Sequence, residues 1–223
     1  YDCYTVSHET LFSNQNYEHR SHWNTPNLDD PWGILYSSGT TGNPKGIIRS
    51  HFSILTELLG WIIELETRKS SHYYIGRPVF YTGGLVLTLS AVLVGGTVSL
   101  PNTHDANTYL SHVERNKIEL SFLIPSQIQA LVRHVEQKGI KNPPHAGFVL
   151  AMGDAFPSEL KVHAMEVLHS GIIESWGNTE GLGTITLPED VRTRPGSIGR
   201  PFLTDDLFIV NEKLQRSDQK KVG

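Results

Sequence analysis

The sequence of 223 residues holds a single cysteine, Cys3. No internal disulfide can form, and such usage suits a reducing compartment, so a cytoplasmic location is expected. No apolar run approaches the ~18 residues that suggest a membrane span. Residues 1–30 are polar and aromatic, without the apolar stretch of a signal peptide. Positive charge is not in excess either. The net charge is −4, whereas nucleic-acid binders carry a basic footprint, so no nucleic-acid partner is expected. Internal repeats and low-complexity tracts are absent. Cys3, His8, His19 and His22 lack the close Cys/His pairing of zinc sites and read as scattered surface residues. What remains is an ordinary globular composition, 38% hydrophobic and 19% charged, long enough for one large domain or two small ones.

From residue 32 onward, patterns of strand and helix alternate. Trp32-Gly-Ile-Leu-Tyr36 is a short apolar run between turn residues and reads as a buried strand. Ser50 is a candidate N-cap for a helix from His51, where Ile54, Leu55, Leu58, Leu59, Ile62 and Ile63 recur at helical spacing. Strands are expected at 72–75, 97–100, 120–124, 148–151 and 172–175. Helices are expected at 86–94, from Asp105 to Arg115, from Pro125 to Gly139, and at 157–169. Such alternation predicts an α/β fold, a mainly parallel sheet with helices on both faces. Ligands of these sheets bind beyond the carboxyl ends of the strands.

Between the first strand and the first helix lies Tyr36-Ser-Ser-Gly-Thr-Thr-Gly-Asn-Pro-Lys-Gly-Ile47. Gly39, Gly42 and Gly46 let backbone N–H groups approach oxygens closely. Ser37, Ser38, Thr40 and Thr41 add hydroxyl donors, and Lys45 adds a positive charge. This is a phosphate-holding composition. It is not a Walker A loop, because Lys45 follows Pro44 and precedes Gly46.

The order of these residues resembles the phosphate loop of the adenylate-forming superfamily, which includes acyl-CoA synthetases, luciferases and peptide-synthetase adenylation domains. A second stretch, Glu174-Ser-Trp-Gly-Asn-Thr-Glu-Gly181, also follows a predicted strand and resembles the family's aromatic-Gly-x-Thr-Glu motif. The resemblance implies that Ser175, Trp176 and Gly177 lie on the adenine side, that Thr179 meets the α-phosphate, and that Glu180 holds magnesium. Trp176 stands where the family more often has tyrosine. Ala151-Met-Gly-Asp-Ala-Phe156 resembles a strand end that lies along the adenosine, which adds Gly153, Asp154 and Ala155 to the nucleotide residues. Arg77-Pro-Val-Phe-Tyr-Thr-Gly-Gly-Leu85 resembles the segment that shapes the acyl pocket, with Phe80, Tyr81, Gly83 and Gly84 as its lining. Those glycines suit a chain or a ring. Tyr81 replaces a histidine frequent in acyl-CoA synthetases. Arg194-Pro-Gly-Ser-Ile-Gly-Arg-Pro201 resembles a downstream turn and reads as structural. His51 is either a donor to the phosphate loop or a capped surface residue.

The fold implied is that of the N-terminal domain of acyl-CoA synthetases and luciferases. Residues 31–212 would form an AMP-binding core, 1–30 a polar lead-in from an incomplete upstream subdomain, and 213–223 a polar tail. The C-terminal domain that carries the family's adenylation lysine has no counterpart in this sequence. The implied activity of the intact enzyme is ATP-dependent conversion of a carboxylic acid to an acyl-adenylate, then thioester formation with coenzyme A. Lys45, Thr179 and Glu180 are the catalytic candidates, and ATP, Mg²⁺ and coenzyme A the cofactors. A peptide-synthetase type, with a carrier-protein thiol as acceptor, is the alternative. Its pocket aspartate has no equivalent in Phe80-Tyr81-Thr82. A third reading is a non-catalytic nucleotide-binding fragment.

Overall fold

A computed structural model describes residues 25–37, 43–103 and 105–216. The first strand, β1 (Pro31–Ser37), does not enter the main sheet. It pairs antiparallel with β2 (Lys45–Ser50), so that Ser37 lies opposite Lys45. The expected burial of β1 is not met: Ile34 and Tyr36 are exposed, as is Ile48 on β2. Residues 38–44 therefore join two strands of a hairpin, and the β-branched pair Ile47-Ile48 extends the chain before the helix begins. Helix α1 (His51–Glu64) follows β2 directly. Ser50 caps it, its Oγ accepting from the Ser53 N–H at 3.2 Å.

The main sheet has seven strands. From one edge they are β4 (Thr97–Ser99), β3 (His72–Ile75), β5 (Leu120–Leu123), β6 (Phe148–Ala151), β7 (Gly171–Asn178), β8 (Gly181–Thr186) and β9 (Arg200–Pro201). The strands from β4 to β7 are parallel, and β8 and β9 run antiparallel. The parallel strands are linked through α2 (Thr82–Leu93), α3 (Ala106–Arg115), α4 (Pro125–Gln137) and α5 (Ser158–Leu168). A short α6 (Pro188–Thr193) follows β8.

Successive strand residues point to opposite faces, and both faces are covered. Tyr73, Ile75, Leu120, Phe122, Leu150 and Ile173 pack with α1 and α2 around Trp61 and Leu87. Tyr74, Leu123, Val149, Ala151 and Ile172 pack with α3, α4 and α5 around Leu131 and Ala164. Local signals set the helix ends. Asp105 caps α3, accepting from the hydroxyl and the backbone N–H of Thr108, and these bonds hold its carboxyl at about 2. Pro125 opens α4, where Gln127 accepts from Ile124 N–H at 2.9 Å and donates to the Gly76 carbonyl at 2.8 Å. That second bond ties α4 to the end of β3.

Two ionic contacts fasten helices to the sheet and its following turn. Lys161 of α5 is 2% exposed. Its Nζ donates to Glu174 of β7 at 2.5 Å and to the Pro195 carbonyl at 2.9 Å. The Arg194-to-Pro201 turn is thereby fastened to the sheet, in keeping with a structural role. Gly199 in that turn has φ +96°, and a Cβ there would sit 2.1 Å from the Ile185 carbonyl oxygen. At the far end of α1, Glu64 accepts two bonds from Arg200, at 2.8 and 2.6 Å, and one from Leu203 N–H at 3.1 Å.

Two predictions follow from these contacts. Lys161→Met leaves Glu174 buried without its cation and costs about 3–5 kcal/mol in urea unfolding, whereas Lys161→Met with Glu174→Leu costs far less. The Arg200 hydrogen bonds hold the Glu64 carboxyl below its ordinary value of 4.5. The stability from that shift is present above 4.5 and is lost as the pH falls through the folded-state value. Stability measured against pH should therefore decline less steeply on the acid side in Glu64→Gln.

Candidate functional site

The carboxyl ends of β3, β5, β6 and β7 open into one cleft of about 390 Å³. Arg77 follows β3, Ile124 follows β5, and Met152 and Gly153 follow β6. Ser175, Gly177, Asn178 and Thr179 come from the end of β7 and its turn. Glu57 and Trp61 of α1 and Thr82 and Gly83 of α2 form a wall, and Tyr36 and Ser37 bring in the hairpin. A larger cavity of about 740 Å³ lies at the opposite ends of the strands, lined by Tyr73, Leu120, Phe148 and Asp190 among others. No residue singled out from sequence for the nucleotide or the acid lines it, so the smaller cleft is the candidate site.

The sequence candidates divide as follows. Ser37, Tyr81, Gly83, Gly153, Ser175, Gly177 and Thr179 line the cleft. Ser38, Gly39, Thr40, Thr41 and Gly42 lie outside the described residues, as do Cys3, His8, His19 and His22. Lys45 is exposed on β2 opposite Ser37. Asp154 and Ala155 lie just past Gly153, with Ala155 N–H donating to Asp154 Oδ1 at 2.8 Å. Phe80 and Gly84 do not border the cleft. Phe80 is 74% exposed against Tyr81, and a Cβ on Gly84 would meet the Pro78 carbonyl at 2.8 Å. His51 opens α1 and its N–H donates to the Asp30 carbonyl at 3.1 Å.

Thr179 and Glu180 are the two residues of the turn between β7 and β8. Asn178 shapes it, its Oδ1 accepting from the N–H groups of Glu180 and Gly181 at 3.1 Å each. Trp176 is half-exposed, its ring lying over Gly183 of β8, where a Cβ would come within 2.7 Å of ring carbon Cε3. The guanidinium of Arg77 lies 4.1 Å from the centre of the Tyr81 ring. Gly83 lines the cleft but does not simply leave space: Met152 Cε lies 2.4 Å, and Phe122 Cζ 3.1 Å, from where its Cβ would be.

Along and beside the cleft lie buried polar groups, of which sequence reasoning singled out Ser175 and missed Arg49, Glu57 and Trp61. Glu57, 6% exposed, pairs with Arg49, 4% exposed, at 2.7 Å. Burial outweighs the attraction of Arg49 and lifts the Glu57 carboxyl above its usual range. Arg49 also donates to the Thr179 carbonyl at 3.2 Å. Trp61 Nε1 and Ser175 Oγ are buried without a hydrogen-bond partner among the described residues. One signal was available: Glu57 shares the core-facing stripe of Ile54, Leu58 and Trp61, where an acid calls for a partner.

The sequence pattern of AMP-binding enzymes matches residues 3–223. This chain belongs to that family. Among its relatives, a long-chain-fatty-acid–CoA ligase of Mycobacterium tuberculosis is 26% identical over 185 residues, covering 81% of this chain and 36% of the relative. A feruloyl-CoA synthase of Amycolatopsis is 29% identical over 184 residues, covering 80% and 37%. The chain thus spans little more than a third of these AMP-binding enzymes. Among solved structures, o-succinylbenzoate coenzyme A synthetase from Bacillus subtilis, in complex with ATP and magnesium ion, superposes with a TM-score of 0.76 at 20% identity, covering 86% of this chain and 40% of that one. The inhibitor-bound N-terminal domain of FACL13 from Mycobacterium tuberculosis gives 0.74 at 23% identity, covering 89% and 51%. The α/β fold expected from sequence is the family's fold.

The packing at Gly83 gives a prediction. Gly83→Ala should destabilise the protein by about 1–3 kcal/mol through overpacking against Met152. Adding Met152→Ala should recover much of that loss, which a double-mutant cycle in urea measures directly.

Proposed function

We propose that this chain is the nucleotide-binding part of an enzyme that activates a carboxylic acid with ATP and passes the acyl group to coenzyme A. A carboxylate oxygen attacks the α-phosphorus of ATP, the bond to the bridging oxygen breaks, and pyrophosphate leaves. The thiol of coenzyme A then attacks the acyl carbon and AMP departs. Residues 31–212 are the AMP-binding core, preceded by a polar lead-in and followed by a polar tail. A carrier-protein thiol is the alternative acceptor. Among the described residues no helix is long and apolar enough to cross a membrane, and a cytoplasmic location accords with the lone cysteine.

The observation that carries this reading is the meeting of two distant segments at one cleft. The mouth of the phosphate loop, at Ser37 and Lys45, and the Thr179–Glu180 turn are joined through the bond from Arg49 to the Thr179 carbonyl, 130 residues away in sequence. The residues suit the groups they would hold. Lys45 and Glu180 are exposed and make no ion pair among the described residues. Lys45 supplies positive charge to the phosphates, joined by residues 38–42 of the loop. Ser175, with its buried hydroxyl unpartnered, and Thr179 offer further donors. Glu180 is a carboxylate of the kind that holds Mg²⁺ together with phosphate oxygens and water. When bound, that ion would neutralise phosphate charge. Trp176 and the Gly153–Asp154–Ala155 segment flank the nucleoside, and Tyr81, Gly83 and Met152 border the acid. The relatives are named for widely different acids, a long-chain fatty acid and a feruloyl group, and Phe80-Tyr81-Thr82 offers no aspartate for an amino group, so the substrate class assigned is a carboxylic acid without a required α-amino group.

The test is carboxylate-dependent exchange of labelled pyrophosphate into ATP, on the longest polypeptide carrying this sequence, across aliphatic, aromatic and amino acids. Exchange with one class of acid is expected. Lys45→Ala or Glu180→Ala should lower its rate by ~10²-fold or more, the usual cost of losing one electrostatic contact to a transition state. Unaltered nucleotide binding and exchange in both variants would sink the assignment.

A further inference from the structure

Arg49 is a buried cation that the phosphate-loop chemistry does not use. On β2 it shares a face with Ile47 and Lys45, since alternate strand residues point the same way. Lys45, at the outer end of that face, is exposed, and Arg49, at the inner end, is 4% exposed. Its planar guanidinium has five N–H donors in a fixed fork. Nε donates to Ser53 Oγ at 3.1 Å, and Nη2 to Ser53 O at 3.2 Å and Glu57 Oε2 at 2.7 Å. These three bonds to α1 fix the plane of the fork. Nη1 is left free of α1 and donates to the Thr179 carbonyl at 3.2 Å.

The recipient needs holding. Beyond Glu174, β7 has left its parallel neighbour β6 and pairs only with β8. The Thr179–Glu180 turn is the tip of that overhang. Its other bonds, from Glu180 and Gly181 N–H to Asn178, are internal to the turn. They set its shape and leave its place in the cleft unspecified. Among the described residues, Arg49 supplies the side-chain hydrogen bond that ties the turn to another part of the fold.

We infer that Arg49 is a positioning residue, which uses its bond to the Thr179 carbonyl to hold the Thr179–Glu180 turn in register with Lys45 on the same strand. The inference rests on the adenylation reading. Glu57 serves it by compensating the buried charge and orienting the fork. A lysine cannot replace the arginine, because one ammonium nitrogen lacks the planar spread that meets Glu57 and Thr179 together.

The test uses Arg49→Lys and the double variant Arg49→Leu with Glu57→Leu, in the longest polypeptide that carries this sequence. Removing both charges together avoids stranding one in the core, and circular dichroism with urea unfolding confirms that each variant is folded. Acid-dependent pyrophosphate exchange should fall by ~10²-fold in kcat, the scale of an ångström misplacement, with the KM for ATP changed much less. The Mg²⁺ concentration for half-maximal exchange should rise, because Glu180 moves with the turn. A purely charge-compensating role would be rescued by lysine, so wild-type exchange and Mg²⁺ dependence in folded Arg49→Lys overturn the inference. The same result in the double variant overturns it too. If the wild-type protein shows no exchange with any acid, the adenylation reading fails instead. The tie is then read from amide hydrogen exchange at residues 179–181: faster exchange in the double variant upholds the tie, and unchanged exchange overturns it.

Discussion

A parallel sheet covered by helices on both faces leaves its strand interiors no access to water, and every polar group there must find a partner within the protein. The hydroxyl of Tyr109 donates to Ser121 at 3.1 Å, and Glu174 N–H donates to Thr186 Oγ1 at 2.9 Å. Thr184 Oγ1 donates to the Ile198 carbonyl. Polar groups free for chemistry are pushed to the strand ends. Ser175 marks the border. It lies one residue past the last pairing with β6, is buried, and keeps an unpartnered hydroxyl facing the cleft. The placing of the site at the carboxyl ends thus follows from how the core is filled.

Much of this architecture was legible because its signals are local. Asp105 and Pro125 announce helix starts that the structure places at Ala106 and Pro125. The buried strands at 120–123 and 148–151 are short apolar runs between turns. What sequence missed depends on distant pairing. β8 reads Gly-Leu-Gly-Thr-Ile-Thr, which looks like a continuation of a glycine-rich loop until β7 lies beside it. The short β9 and α6 carry still weaker patterns. The hairpin was misread as a buried strand leading to a helix, since nothing in Trp32-to-Tyr36 says that its partner is a single strand with an open face. At the cleft, Ser37, Ser175, Gly177 and Thr179 were legible from the two family stretches. Arg49 and Lys161 were not, because a charged residue in sequence looks like a surface residue, and its burial depends on a partner supplied by packing; Glu57 was marked only by its place on the core-facing stripe of α1.

These buried cations act at two places on one strand. Lys161 grips β7 at Glu174, where its pairing with β6 ends, and Arg49 grips the turn beyond β7 at Thr179. Between them lie Ser175, Trp176, Gly177 and Asn178, paired on one side with β8 except at the irregularity of Gly177. Ion pairs taken out of water return little net stability, because desolvation cancels most of the attraction. Their contribution is better sought in geometry. An overhanging hairpin supported along one edge is free to twist and to swing, and charged contacts at its root and its tip remove both freedoms. Apolar packing gives no such direction at the tip, which borders the open cleft. A directional bond from a buried guanidinium to a backbone carbonyl holds the tip from beside the cleft without filling it.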